Sequence, residues 1–305
     1  MNDERLKLPK RRRKKRRVWL SRLKWIVMLL CFFLLIGAVY WFGQQKAYDN
    51  GTKELAQGTA DTPIYILATG IDQSEPQTAD TIMLIAVNFQ KQTAAAISLL
   101  PNMGSPTEDG YVPLLKDSYR AGGIVALKEQ VERSFQIFIP YYVVVDEPHF
   151  ASWLDTRGPV SLYVEKDMEY DDGMTTPIRL AQGYQELDGN QAIAYLRYRD
   201  SITDELGRVQ RQQRFLKAYL AQLQKQYSWV NYMYTYFAWD HFTSNISADD
   251  GARLVYELTK MPPENIAFYI VPGEPQTAGE IHYWQVEPIG SQTLIGKTLT
   301  KNMAE

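Results

Sequence analysis

The chain has 305 residues, 45% hydrophobic and 22% charged, enough apolar side chain to bury a core, which excludes a mainly disordered or collagen-like polymer. Its formal charge of -2 hides an asymmetry: 12 of the 33 Lys and Arg but only two of the 35 acids fall in residues 1–24, so the remainder carries 21 bases against 33 acids. That remainder is too acidic for a globular nucleic-acid-binding domain, and the single cysteine, Cys31, excludes an internal disulfide framework and any multi-cysteine metal site.

Residues 1–24 form a basic head with an unbroken run from Lys10 to Arg17. Residues 25–42 (WIVMLLCFFLLIGAVYWF) carry no charge, and as a helix they extend about 27 Å, close to the hydrocarbon thickness of a bilayer. Trp19, Trp25, Tyr40 and Trp41 stand where interfacial aromatics belong, and the basic run places the N-terminus on the cytoplasmic side. Ala38-Val39-Tyr40 is followed by Trp41 and Phe42 instead of a small-residue cleavage site, so an uncleaved signal anchor is predicted, with Cys31 as an inert thiol inside it. Residues 43–60 are polar and aperiodic and are read as an extracellular tether. Residues 61–290 are read as one outer domain, with 291–305 as a C-terminal tail.

Within that domain, Pro63–Ala68, Thr81–Asn88 and Ala94–Leu100 are short apolar runs that predict three strands, the second and third joined as a hairpin. Gly122–Phe135 has helical spacing, Tyr141–Val145 is expected as a buried strand, and a short helix begins at Pro148–Asp155. Val160–Val164 is again strand-like. Helices follow around Gln191–Tyr195, Gly207–Gln226 and Ala248–Lys260, the last with Ser247 as N-cap, before a strand at Ile266–Val271. Strands interleaved with helices predict an α/β fold, a three-layer α–β–α sandwich around a mixed central sheet, preceded by one transmembrane helix.

Two constellations carry chemistry. Asp72 follows the first strand and Asp80 immediately precedes the second, so neighbouring strands would bring both carboxylates to one edge of the sheet. Two such acids suit a hard cation, since Mg²⁺ typically takes one or two carboxylates plus phosphate oxygens and water; turn chemistry is the other reading of Asp at strand ends. The second constellation is Arg197, Arg199, Arg208, Arg211 and Arg214 within 18 residues of an otherwise acidic domain. Arg197 and Arg199 share a side only where the chain is extended, whereas Arg208, Arg211 and Gln212 occupy adjacent positions on one helix. Guanidinium forks near a helix start match phosphate, against the alternative of a solvated helix face salt-bridged to Asp204 and Glu205. Val209, Leu216, Leu220 and Leu223 are expected to form the core stripe beside them.

His149, His241 and His282 fall in no metal-ligand spacing, and GxSxG and GxxxxGK[ST] are both missing from the sequence. His149 is read as a surface or capping residue. The tyrosine-rich stretch Tyr232–Phe237 is read as core and interface, with an amphipathic or sugar-contacting role left open.

The ordered segments TGID, ADTIMLIAVN, ISLLP, SYRAGG, YYVVVD, RGPVSLYV, LAQGYQELDGNQAIAYLRYRD and GRVQRQQRFLKAYL, behind a basic head and a single span, resemble the LytR–CpsA–Psr family of Gram-positive cell-envelope proteins over roughly residues 61–272. The resemblance implies a membrane-anchored phosphotransferase that moves a glycopolymer (wall teichoic acid, capsule or related polysaccharide) from a polyprenyl-pyrophosphate carrier to peptidoglycan. It also implies an apolar pocket for the lipid tail and a Mg²⁺-bridged pyrophosphate at its mouth. On that reading Asp72 and Asp80 are the metal-linked acids, and Arg197, Arg199, Arg208, Arg211 and Gln212 hold the pyrophosphate. The catalytic set is Asp72, Asp80, Arg199 and Arg208.

The chain departs from the family pattern at three places. Thr78-Ala79-Asp80-Thr81 stands for the usual R-S-D-T, Pro101-Asn102-Met103 for P-R-D, and Lys116 for an Asn. Lys116 or Arg120 is the nearest source of replacement charge. An active ligase and a catalytically degenerate binder of the same lipid are therefore the two functions in view. The charge asymmetry itself predicts that protease added to wall-stripped cells digests the outer domain and spares the N-terminus; a protected C-terminal tag contradicts that topology.

Overall fold

The computed structural model describes residues 63–72, 78–171, 177–201 and 204–299, all within the unit Leu55–Glu305. The expected span 25–42 and tether 43–60 lie outside the described residues, among which no helix is long and apolar enough to cross a membrane.

In chain order, β1 (Ile64–Ile71), β2 (Ala79–Asn88) and β3 (Thr93–Leu99) precede α1 (Leu115–Phe135), β4 (Tyr141–Asp146) and α2 (Glu147–Arg157). Four short strands follow, β5 (Val160–Val164), β6 (Met168–Tyr170), β7 (Ile178–Leu180) and β8 (Gly183–Leu187). Then come α3 (Gly189–Arg197), α4 (Glu205–Gln224), α5 (Ser228–Ala238), β9 (Thr243–Ser244) and α6 (Ala248–Lys260). The chain continues through β10 (Ile266–Ile270), β11 (Gly273–Ala278), β12 (Ile281–Val286) and α7 (Pro288–Leu299).

The central sheet is six-stranded and mixed, in the order β10-β3-β2-β1-β4-β9. β1, β2 and β3 form an antiparallel run, while β4 lies parallel to β1 and β10 parallel to β3. Alternation along β1 assigns its two faces. Tyr65, Leu67 and Ile71 belong to a cluster with Leu127 and Val131 of α1, Val209 of α4, and Leu294 and Ile295 of α7. Ile66 belongs to another, with Trp239, Ile246 and Leu254. Helices therefore cover both faces, giving a mixed α/β fold around a central sheet. A third cluster, built from α2, α3, α4 and the β5–β8 and β6–β7 pairs, stands beside it.

Several expectations shift. α1 starts at Leu115, about two turns before Gly122, because buried Leu115 and Tyr119 anchor its first turns on the core. The two glycines make a kink, and Gly123 at φ 63° adopts a backbone that a side chain would strain. β4 buries only Val144 fully, since its outer neighbour β9 is two residues long. In α4 the buried apolar positions are Val209, Phe215, Tyr219 and Leu223, with Leu216 and Leu220 half-buried. Ser247 caps α6 as read, its side chain accepting the Asp250 N–H.

The largest correction concerns the tail. Residues 291–299 belong to α7, whose Leu294 and Ile295 enter the core and whose Thr298 Oγ1 lies 2.8 Å from the buried Tyr65 Oη. The short β11–β12 hairpin and a Pro start concealed that helix in the sequence. In a fragment beginning at residue 61, Leu294→Ala is expected to lower stability by about 2–5 kcal/mol in denaturant unfolding. An unchanged midpoint contradicts the assignment of the tail to the core.

Candidate functional site

The antiparallel pairing of β1 with β2 brings Ile71 opposite Ala79, with a register shift at Gly70/Ile71, so Asp72 and Asp80 lie at the same end of the sheet. Arg197 ends α3. The next residue, Tyr198, is extended (φ -56°, ψ 135°), and from either side of it Arg197 reaches Asp72 while Arg199 reaches Asp80. Arg197 Nη2 is 4.0 Å from Asp72 Oδ2 and its Nε is 3.6 Å from Glu147 Oε1. Arg199 Nη2 is 3.8 Å from Asp80 Oδ1 and its Nη1 is 2.9 Å from Glu205 Oε1.

α4 supplies the buried half of the cluster. Asp204 caps it, Oδ1 accepting the Gly207 N–H at 3.1 Å. A Cβ on Gly207 would stand 2.2 Å from that oxygen, so the cap requires glycine there. One turn in, Arg208 is 2% exposed, with Nη1 3.3 Å from Asp80 Oδ1 and Nη2 2.7 Å from Glu205 Oε2. Its Nε is buried with no hydrogen-bond partner, a donor left over by the protein.

The structure thus brings Asp72, Asp80, Arg197, Arg199 and Arg208 together. Arg211 is used elsewhere: Nη2 donates to Tyr198 O at 2.7 Å and Asp204 Oδ2 at 3.0 Å, and Nη1 lies 3.5 Å from Glu165 Oε1. Gln212 is buried, and Arg214 is exposed and paired with Glu165. The alternative of a solvated salt-bridged face does not describe α4, because Glu205, Arg208 and Arg211 are all buried.

Two acids escaped the sequence reading. Glu205 was seen only as a surface partner, and Glu147 was hidden in the helix start Glu147-Pro148; its one signal was an acid in a first turn. Burial pushes the Glu147 carboxyl up to about 7; Arg197 and Arg208 pull it down, and the charges of Asp72 and Asp80 raise it further. Burial, then neighbouring Arg208, lowers Arg199, while Glu205 and Asp80 act the other way.

At the position where the resemblance expects Arg-Asp, Met103 is buried in the main core beside Leu115, and Asn102 O accepts the Trp284 N–H at 2.9 Å. Asn102 Nδ2 faces His282 O at 3.5 Å. A cavity of about 370 Å³ lies between the 103–115 segment, α1 and α7, lined by apolar Met103, Leu114, Leu115 and Phe135 and by polar Ser118 and Ser291. None of its lining residues belongs to the arginine cluster.

Among the described residues no group of three or more acids, His or Cys is placed to hold a metal by itself. Asp72 and Asp80 offer two partly exposed hard-oxygen donors, 16% and 28% accessible, which is the number Mg²⁺ takes when phosphate supplies the rest. The donor set fits that ion.

A sheet-end cluster of paired arginines and carboxylates, walled by helices, is the site that this mixed α/β fold builds. The chain belongs to the LytR_cpsA_psr family, whose model matches residues 39–299. It is 27% identical over 161 residues to the regulatory protein MsrR of Staphylococcus aureus (strain COL), covering 52% of this chain and 48% of that protein. It is 24% identical over 212 residues to the polyisoprenyl-teichoic acid–peptidoglycan teichoic acid transferase TagU of Bacillus cereus (strain AH820), covering 63% and 68%. The chain thus spans about half the length of the first of these relatives. The fold matches Bacillus subtilis TagV with a TM-score of 0.67 at 22% identity, over 78% of this chain and 96% of that one. It also matches TagT bound to LIIa-WTA, with a TM-score of 0.63 at 19% identity, over 79% and 91%.

Because Glu147 titrates near 7 and not near its ordinary 4.5, the folded protein holds an extra proton between those values, and stability falls as pH rises through that window. Glu147→Gln is expected to flatten this slope in unfolding measured from pH 4 to 8. A slope unchanged by the substitution contradicts the raised carboxyl.

Proposed function

We propose that this chain is a membrane-anchored phosphotransferase that attaches a glycopolymer, carried on a polyprenyl pyrophosphate, to peptidoglycan. The observation that supports this most is the convergence of Arg197, Arg199 and Arg208 on Asp72 and Asp80, all within 4.0 Å, at one sheet end. The names of TagU and of TagT bound to LIIa-WTA point to the same class of substrate.

Phosphoryl transfer needs positioning and charge neutralisation more than covalent help from the protein. Arg199 and Arg208 would bind the pyrophosphate oxygens, and the fork of Arg208 is already fixed by burial. Mg²⁺ held by Asp72 and Asp80 would supply further neutralisation of the phosphate charge. Glu147, whose carboxyl burial raises, stands beside Arg197 and would be the base that takes the proton from the acceptor hydroxyl. As that hydroxyl oxygen bonds to the glycan-bearing phosphorus, the bond from this phosphorus to the bridging oxygen breaks and polyprenyl phosphate leaves.

A second reading, a binder without turnover, is favoured by Met103, which is buried as core where the family pattern has an acid. Arg199→Ala or Arg208→Ala is expected to weaken binding of a polyprenyl-pyrophosphate analogue by about 1.5–3 kcal/mol under both readings, and unchanged binding refutes the site. Release of polyprenyl phosphate from lipid-linked glycan and peptidoglycan oligomers, dependent on Asp72 and Asp80, supports the transferase. Binding without release supports the second reading.

A further inference from the structure

Helix α5 is inside out. Its buried positions are the polar Asn231 and Thr235, while Trp229 is 64% exposed, Phe237 70%, Tyr234 46%, Tyr236 40% and Met233 37%. Trp229, Met233, Tyr236 and Phe237 stand at i, i+4, i+7 and i+8, so they share one face. The polar side is locked inward. Asn231 Nδ2 donates to Leu223 O at 2.9 Å, and Asn231 Oδ1 accepts from buried Arg157, which also donates to Gln226 Oε1 at 2.6 Å. The Arg157 guanidinium sits 4.6 Å from the Tyr234 ring centroid. Rolling the helix to hide its aromatics would strand Asn231 and Arg157 without partners, a cost that holds the face outward.

Exposed aromatics at this density call for a partner. No charged residue occurs from Gln226 to Trp239, and the composition is Trp, Tyr, Phe and Met, not Leu and Ile. Trp and Tyr rings of this kind belong at the head-group level of a bilayer, with a ring buried and a polar tip in water. We infer that the Trp229–Phe237 face of α5 rests in the head-group layer of the membrane and sets the orientation of the domain against it. This rests on the membrane-anchored reading of residues 25–42. Only 20 residues, 43–62, separate that segment from Pro63, the first described residue of the domain. Beyond residue 24 the chain is acidic overall, and the uncharged aromatic face needs no attraction to anionic lipid to bind. Arg157 ends α2 and Glu147 begins it, so the helix that fixes this face also presents a carboxylate to the arginine cluster.

The test uses the full chain in lipid nanodiscs, with Cys31→Ser and a single polarity-sensitive fluorophore at Phe237→Cys. The control label is at Val125→Cys, which is 54% exposed on α1, across the sheet. With brominated lipid the label at 237 is expected to shift to the blue and lose most of its emission, while that at 125 stays unquenched. A label at 237 that remains unquenched in discs holding the protein overturns the inference, as does equal quenching at both positions. Shielding of 237 in native membrane vesicles but not in pure lipid discs overturns it in favour of a protein partner. A chain that does not incorporate into the discs at all refutes the anchor, and this outcome is distinct from the other failures. Trp229→Cys repeats the measurement should Phe237→Cys fold poorly.

Discussion

Arg208 is the constraint around which the site is arranged. A guanidinium that is 2% exposed must be paired, because an uncompensated buried charge costs several kcal/mol. Its partners come from two directions: Glu205 from its own helix and Asp80 from β2. Pairing Arg208 with Asp80 therefore ties α4 to the end of the central sheet, and Gln213 adds to it by donating to Ser98 Oγ on β3 and Tyr269 O on β10. Arg199 then shares both acids with Arg208, which places it in a crowded cationic position where burial and its neighbour together lower its proton affinity.

The second organising element is α2. Its first residue, Glu147, faces Arg197; its last, Arg157, is buried and clamps α5 through Asn231. Asp146, just before Glu147, caps the helix by accepting the His149 N–H, and in its middle Trp153 Nε1 donates to Tyr219 Oη on α4. One eleven-residue helix thus carries packing contacts from the arginine cluster to an aromatic surface, through side chains that are mostly satisfied locally.

Much of this was legible in the sequence where local pattern and tertiary environment agree. β1, β2 and β3 announced themselves by apolar runs, and α6 by its period and Ser247 cap, because the same faces that look apolar are the faces buried. The clustering of Asp72 and Asp80 followed from strand adjacency alone. The failures have a common cause. Glu147, the buried role of Glu205 and the diversion of Arg211 to Glu165 and Asp204 depend on which elements meet, and single-chain spacing carries no record of that. Tyr232–Phe237, read as core and interface, is exposed at Met233, Tyr234, Tyr236 and Phe237, and only the core half of that reading fails: buried Arg157 selects Asn231 for the interior and turns the rings out.

The charge count of the site bears on what it can hold. Arg197, Arg199 and Arg208 face Asp72, Asp80, Glu147 and Glu205, three positive groups against four acids. With every acid ionised the cluster is net negative and repels a pyrophosphate; with Glu147 protonated it is balanced. An anionic ligand is therefore favoured only if the carboxylates are occupied by something positive or if a proton resides on Glu147. The first condition is what a divalent ion on Asp72 and Asp80 would meet, freeing the guanidinium forks of Arg199 and Arg208 for phosphate. The second is met by the raised Glu147 carboxyl, whose proton removes one negative charge from the cluster. Arginines that look fully committed in salt bridges are, on this account, held in geometry by acids that the ligand's own counter-charge displaces.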